Sequence, residues 1–367
     1  MNATRRFTLT ILDDFHHELK VLVLRMCHDW KYSVSRPILY TILTMTEKVV
    51  RRILQQYGLS PDYIHTAQKG YRNESYAATL KNGRQVNLVI YKYERAMLRR
   101  INNANRVANY AATHGLPVRQ TIDHRIICLH VGARTRYGAL YNYLPGKTIP
   151  WEAYTMGHIK QLGKALSDTH AVLRDLTKDT LPLVTDEYHA ICCRMEQYFN
   201  NPGVQSAMAE KLALRPPQNL TNYKALVRKL EMLPSQQALH MDFVRGNVLF
   251  EIHSNEITGI IDFEKAAWGH PAFDIARTLA FLLVDCKYKT PDKVHKYFLY
   301  SGYSKRGKAK LPHIATIKPL IELFLLYDFY KFLLHNPYEF LEQNEHFIRT
   351  RNCLLKRNTL TQIAMLE

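Results

Sequence analysis

Two carboxylates and a carboxamide, spaced through one short block, are the residues best suited to chemistry. The block begins Leu239-His240-Met241-Asp242-Phe243-Val244-Arg245-Gly246-Asn247-Val248-Leu249-Phe250 and resumes at Ile260-Ile261-Asp262-Phe263-Glu264. Asp242 precedes Asn247 by five positions, in a loop that enters a short apolar strand. A second apolar strand delivers Asp262. Phosphoryl transfer to a hydroxyl needs these residue types. One carboxylate orients the attacking hydroxyl or accepts its proton. A second carboxylate and a neutral amide oxygen hold Mg2+, a hard cation that prefers oxygen ligands. The competing structural reading is a pair of strands joined by an acidic turn.

The pattern His-x-Asp-x-x-x-x-Asn followed by Ile-Asp-Phe-Glu resembles the catalytic and metal loops of the aminoglycoside phosphotransferase/choline kinase family, which is distantly similar to protein kinases. Downstream, Trp268-Gly269-His270-Pro271-Ala272-Phe273-Asp274-Ile275-Ala276 matches that family's Gly-x-Pro-x-x-Asp-(Leu/Ile)-Ala segment. Linked elements in the right order are a specific signal, where a lone His-x-Asp would not be. The resemblance implies a catalytic base or orienting group at Asp242 and metal ligands at Asn247 and Asp262. It implies bracing roles for His240 and Asp274.

Weaker matches lie upstream. Gln68-Lys69-Gly70-Tyr71-Arg72-Asn73-Glu74-Ser75-Tyr76 resembles the family's nucleotide-covering loop, with Gly70 and Asn73 in the matching places. Exposed N–H groups of such a turn can approach phosphates. Val89-Ile90-Tyr91-Lys92 reads like the kinase strand whose lysine contacts the α- and β-phosphates. Two registers are open here: one gives Lys92 that role, the other puts Val89 in the lysine's place, and positions 89 and 92 point to opposite faces of a strand. No acid is present at Asn103-Ala104-Asn105-Arg106, where the family's partner glutamate is expected. Leu140-Tyr141-Asn142-Tyr143-Leu144-Pro145-Gly146 resembles the hinge, which implies that backbone groups of Asn142, Tyr143 and Leu144 meet adenine.

The elements that must position these residues fall into three regions. Helical spacing runs from about Thr8 to Gln56, including Ile38, Ile42, Met45 and Val49. Two strand-like runs then flank Asn82-Gly83, a strong hairpin signal because both residues tolerate positive φ. The second run extends from Arg84 to Tyr93. A helix follows, with Met97, Ile101, Ala104, Ala108 and Ala111 on one face, then strands at 125–131 and 137–143. After Pro150 helices dominate, apart from the chemical block. The expected fold is α+β, a bilobal protein-kinase-like arrangement with a small β-rich N-lobe, a mostly helical C-lobe and an N-terminal helical extension. The expected boundaries are 1–57, 58–143 and 144–367.

The chain has 367 residues and a net charge of +18. Thirteen Lys/Arg against three acids lie between Lys69 and Arg136. That segment reads either as a solvated basic surface or as a site for an anionic partner, a nucleic acid or a membrane. The six cysteines form no metal-ligand spacing, and free thiols are expected. No apolar run is long enough for a membrane span, and Asp13, Asp14, His16 and His17 argue against a secretory signal. A cytoplasmic location is expected. The function expected is ATP- and Mg2+-dependent transfer of a γ-phosphoryl group to a hydroxyl-bearing small molecule. The alternative is a pseudokinase-like nucleotide-binding or scaffold protein.

Overall fold

The computed structural model describes residues 38–41, 45–69, 73–131, 134–217, 219–357 and 363–365. The helices expected before Ile38, and Gly70 with its neighbours Tyr71 and Arg72, lie outside the described residues. The chain divides into two compact units. The first comprises residues up to Asn102 together with Arg119–Tyr143; the second comprises Asn103–Val118 together with Leu144–Glu367.

The first unit is built on a seven-stranded sheet. Its strands are β1 (Ile38–Thr41), β2 (Pro61–Ile64), β3 (Gln68–Lys69), β4 (Glu74–Leu80), β5 (Gln85–Ile90), β6 (Ile127–Val131) and β7 (Arg134–Asn142). Their order is β1-β6-β7-β5-β4-β2, with β3 also paired to β4. Helix α1 spans Glu47–Gln56 and α2 spans Met97–Thr113, the unit boundary passing through α2. The Asn82-Gly83 hairpin forms between β4 and β5, and Gly83 has φ 78°, a conformation only glycine adopts without strain.

Strand alternation sorts the core into two faces. Val86, Leu88 and Ile90 pack with Leu129, Leu140 and the buried stripe of α1, namely Val49, Val50, Ile53 and Leu54. Burial of such side chains contributes roughly 1.5–3 kcal/mol each. Val89 and Tyr91 point the other way and pack with Ala139, Tyr141 and the α2 residues Met97 and Ile101. Gly138 stands beside Ile90, and a Cβ there would come within 2.6 Å of the Ile90 side chain.

Two local expectations need correction. Residues 38–41 form a strand parallel to β6, so the helix begins only at Glu47, where Thr46 caps it. The run Ile-Leu-Tyr-Thr is rich in strand formers, and an open sheet edge outweighs its helical spacing. In the second correction, β5 ends at Ile90, and Lys92 lies beyond the strand.

The second unit is mostly helical: α3 (Met156–Leu173), α4 (Val184–Phe199), α5 (Pro202–Leu212), α6 (Thr221–Glu231), α7 (Ala272–Asp285), α8 (Pro291–His295), α9 (Ile314–His335), α10 (Tyr338–Leu341) and α11 (Glu345–Arg357). A π-helix, Lys296–Ser304, follows α8 and packs on α3 through Gly163 and Gly302. A Cβ on Gly163 would meet the Phe298 carbonyl oxygen at 2.2 Å, so only glycine permits this approach. Three two-stranded sheets complete the unit: β8 (Leu214–Arg215) with β13 (Ala364–Met365), β9 (Gln237–Leu239) with β12 (Ala267–Gly269), and β10 (Val248–Phe250) with β11 (Ile257–Ile260). Among the described residues no helix is long and apolar enough to cross a membrane.

Candidate active site

The chemical block lies wholly in the second unit, and two of the short sheets bring it together. The β10–β11 register pairs Val248 with Ile260, so the residues just outside the pair meet: Ile261 N–H donates to Asn247 O at 2.9 Å. Asn247 and Asp262 therefore share one end of this ribbon. The β9–β12 register pairs Leu239 with Ala267. Continued outward, it carries Lys265 alongside the loop that holds Asp242.

Asp242 is largely enclosed, with 15% of its side chain exposed. Lys265 Nζ lies 2.8 Å from Oδ1, and the Arg277 guanidinium lies 3.6 Å from the same oxygen. Asn247 Nδ2 donates to the Asp242 carbonyl at 2.9 Å and to Oδ2 at 3.2 Å. Burial pushes the Asp242 carboxyl up, but the charges of Lys265 and Arg277 and the Lys265 hydrogen bond outweigh it and hold the group below the usual carboxylate range. It is an anion at neutral pH, ready to accept a hydrogen bond from a hydroxyl.

Both chemical loops contain strained backbone. Met241 has φ 59° and Asp262 has φ 65°, each a non-glycine residue in the left-handed region. Such conformations cost about 1–3 kcal/mol and persist only where the surroundings hold them. Around Met241 the restraint is visible. Asp274, in the first turn of α7, is fully buried. Its Oδ2 accepts from His240 N–H at 2.8 Å and its Oδ1 accepts from Met241 N–H at 2.9 Å. His170 Nε2 reaches Oδ2 at 3.2 Å, and His170 Nδ1 meets the Tyr303 hydroxyl at 2.7 Å. Tyr303 is carried by the π-helix. Burial raises the Asp274 carboxyl, yet the His170 hydrogen bond and the nearby imidazoles hold it low.

His240 ties the two loops. Its Nδ1 accepts from Asp242 N–H at 3.2 Å and its Nε2 donates to Ile261 O at 3.2 Å. Those roles require the neutral tautomer protonated at Nε2. Burial, the largest influence, lowers its pKa and favours that neutral form.

Asn247 and Asp262 fit a divalent cation by donor chemistry. The Asn247 amide nitrogen is held by Asp242, which leaves its hard Oδ1 available, and Asp262 adds a partly exposed carboxylate. The sequence pointed to Asp242, Asn247 and Asp262 as candidates, which lie together here, but gave no role to Lys265, Arg277, His170 or Tyr303. Arg277 had a signal, a lone cation within the apolar run of α7, and His170 had one on the apolar stripe of α3.

The residues matched to nucleotide binding are placed as follows. Asn73 Oδ1 accepts from Lys92 N–H at 3.2 Å. Lys92 Nζ pairs with Glu94, which also holds Arg100 at 2.6 Å. The lysine–glutamate pair is thus local, and the sheet face against α2 carries Val89 and Tyr91 in place of a lysine. Asn142 ends β7, its Oδ1 accepting from Gln120 N–H at 2.8 Å; Tyr143 is exposed, and Leu144 packs beside Gly259. Much of the basic segment has intramolecular partners: Arg136 pairs with Glu74 at 2.7 Å and Arg125 with Asp123 at 2.7 Å. Arg106 bonds the carbonyls of Thr177 and Lys178.

A β-rich unit, a mostly helical unit and this acid–amide–acid site define a kinase-like phosphotransferase. The model of APH, the phosphotransferase enzyme family, matches residues 64–286, more than half of the chain, and the chain belongs to that family. Its fold recurs in solved structures of small-molecule kinases. Amicoumacin kinase hAmiN, solved with AMP-PNP, Ca2+ and Ami, shares 16% identity at TM-score 0.62, over 86% of this chain and 98% of its own. The microcompartment-associated aminopropanol kinase shares 15% identity at TM-score 0.64, over 85% and 96%. Macrolide 2'-phosphotransferase MphH from Brachybacterium faecium shares 16% at TM-score 0.52, over 84% and 98%. No curated protein matches the sequence.

Proposed function

We propose that the chain transfers the γ-phosphoryl group of ATP to a hydroxyl of a small molecule, with Asp242 as the group that orients the hydroxyl. The observation that carries this reading is the Asp242 carboxylate, kept anionic by Lys265 and Arg277 and bonded to Asn247 beside Asp262. The acceptor oxygen forms a bond to γ-phosphorus, the bond from γ-phosphorus to the bridging oxygen breaks, and ADP leaves. The hydroxyl proton passes to Asp242 late in the transfer. Asn247 Oδ1 and Asp262 would hold Mg2+, which offsets phosphate charge when bound. Gly70, Asn73 and Lys92 would meet the phosphates, and the backbone of Asn142, Tyr143 and Leu144 the adenine. A cytoplasmic setting suits an enzyme that uses ATP and carries Cys192, Cys193, Cys286 and Cys353 as free thiols.

Calorimetric titration with ATP tests this. Wild type is expected to bind ATP far more tightly with Mg2+ than without, and Asp262→Ala to lose most of that difference. Equal binding with and without the metal in wild type would sink the assignment of Asn247 and Asp262.

Lys265 is expected to set the acid limb of the reaction. Removing its charge destabilises the Asp242 anion, so the carboxyl pKa rises and the active base form is lost at a higher pH. In Lys265→Met, the acid limb of kcat against pH should move upward, with kcat at neutral pH about 10- to 100-fold lower. An unmoved limb would mean that the 2.8 Å contact does not govern the ionisation of Asp242.

A further inference from the structure

Nine Lys/Arg against one acid, Asp292, lie between Lys287 and Lys318. The stretch belongs wholly to the second unit. It differs from the basic segment of the first unit, where Glu74 and Asp123 take up Arg136 and Arg125. Here Lys287 pairs with Glu345 at 3.0 Å, but the others form no ion pair with a described residue.

Local structure turns these charges outward. Helix α8 runs without a break into the π-helix, and Val294, Phe298, Leu299 and Tyr303 bury its apolar side in the core. Lys293, Lys296 and Tyr300, at intervals of three and four, share the exposed side. The chain then passes over α3. A Cβ on Gly307 would lie 2.1 Å from the Ser167 side chain. Ala309 N–H donates to Ser167 Oγ at 2.9 Å, and Ser167 Oγ donates to Ala309 O at 3.3 Å. Arg306, Lys308 and Lys310 alternate with these anchored residues and are exposed. Docking Gly307 and Ala309 on α3 therefore holds three cations on the outside. Like charges held together raise the local potential, and one carboxylate does not offset it. A polyanion would.

The exposed rings decide which polyanion fits. Between residues 287 and 318 the large apolar side chains that stand exposed are Tyr288, at 73%, and Tyr300, at 53%. The apolar side of the helix faces the core, so it offers nothing to insert among acyl chains. A tyrosine ring beside lysines instead suits an unstacked base next to its phosphates. We propose that this face binds single-stranded nucleic acid, with Lys293, Lys296, Arg306, Lys308 and Lys310 on the phosphates and Tyr300 stacked on a base. The lysines act as point charges, so the binding is independent of base sequence. The proposal stands apart from the phosphotransferase reading, and its test needs no turnover.

Fluorescence anisotropy with labelled oligouridine and oligothymidine, each about 20 nucleotides and so longer than a typical site, tests it. Wild type should bind with an affinity that falls steeply as salt rises. Arg306→Gln, Lys308→Gln and Lys310→Gln combined should weaken binding about tenfold or more and reduce the slope of log K against log salt by about 2. Tyr300→Ala should weaken binding about fivefold or more with the slope unchanged. All of these residues are exposed, so the melting temperature should hold. Lys81→Gln, Arg84→Gln and Lys229→Gln combined remove the same charge from exposed positions elsewhere, and should change the affinity by about twofold or less. Tighter binding of oligouridine would add a contact to the 2′-hydroxyl, and equal binding would mean that backbone and base faces suffice; both support the proposal. Absence of oligonucleotide binding at low salt would overturn it. An equal loss in the second triple variant would overturn it too, because binding would then follow net charge alone. Binding to vesicles of equal parts phosphatidylserine and phosphatidylcholine, without binding to either oligonucleotide, would replace it with a membrane surface. An affinity that Tyr300→Ala leaves unmoved would remove the base contact and with it the assignment to nucleic acid.

Discussion

Asp242→Asn is expected to lower kcat by about 10³-fold or more while the affinity for Mg-ATP stays within about threefold of wild type. The amide keeps the shape of the carboxylate and can still bond Asn247. It loses the charge that holds Lys265 at 2.8 Å and that would polarise the acceptor hydroxyl. The nucleotide affinity separates this from a structural effect, since Asn247 and Asp262 are untouched. Some stability should also be lost. Arg277 is buried beside Asp242, and removal of a counter-charge leaves a buried cation less well paired. The Tyr188 hydroxyl at 3.3 Å and the charge of Asp328 limit that loss. Turnover within tenfold of wild type in Asp242→Asn would remove Asp242 from the mechanism.

Asp274→Ala should produce the largest loss of stability of any single change near the site. One fully buried carboxylate accepts from two backbone N–H groups and is clamped by His170. Its removal strands these donors where water does not reach. The cost is expected to be about 3–5 kcal/mol, since an uncompensated buried partner is penalised far more than an average hydrogen bond contributes. For a protein of this size that corresponds to a fall in Tm of roughly 4–6 °C. Catalysis should fall further than stability alone explains, because Met241 is held at φ 59° by the same carboxylate and its release lets the Asp242 loop relax. Asp274→Asn, which keeps one acceptor oxygen, should be intermediate in both respects. A Tm shift of only 1–2 °C in Asp274→Ala would show that the network does not hold the loop.

The sequence made the chemical core legible for a physical reason. Asp242, Asn247 and Asp262 sit in two loops bounded by short apolar strands, and phosphoryl transfer tolerates few other residue types in those places. The hairpin at Asn82-Gly83 was legible because positive φ admits few residues, and α2 because five apolar positions recur on one face. The failures are equally specific. Residues 38–41 carry a helical period and strand-forming side chains at once, and pairing with β6 decides between them. Lys92 sits on a run that reads as strand to Tyr93, yet β5 ends at Ile90 and its lysine pairs with Glu94.

By itself the sequence determined the candidate acid–amide–acid set, its order and the class of fold, because these depend on residue identity and on spacing over short stretches. Only the tertiary structure decided what surrounds Asp242. Lys265 reaches it by the continued register of β9 with β12, and Arg277 by the packing of α7. His170 reaches Asp274 from a helix 104 positions away along the chain, and Tyr303 holds His170 across 133 positions. Such contacts join residues whose separation in sequence carries no period, so they exist only once the chain has packed, and they are what sets the charge of the carboxylate and the strain of its loop.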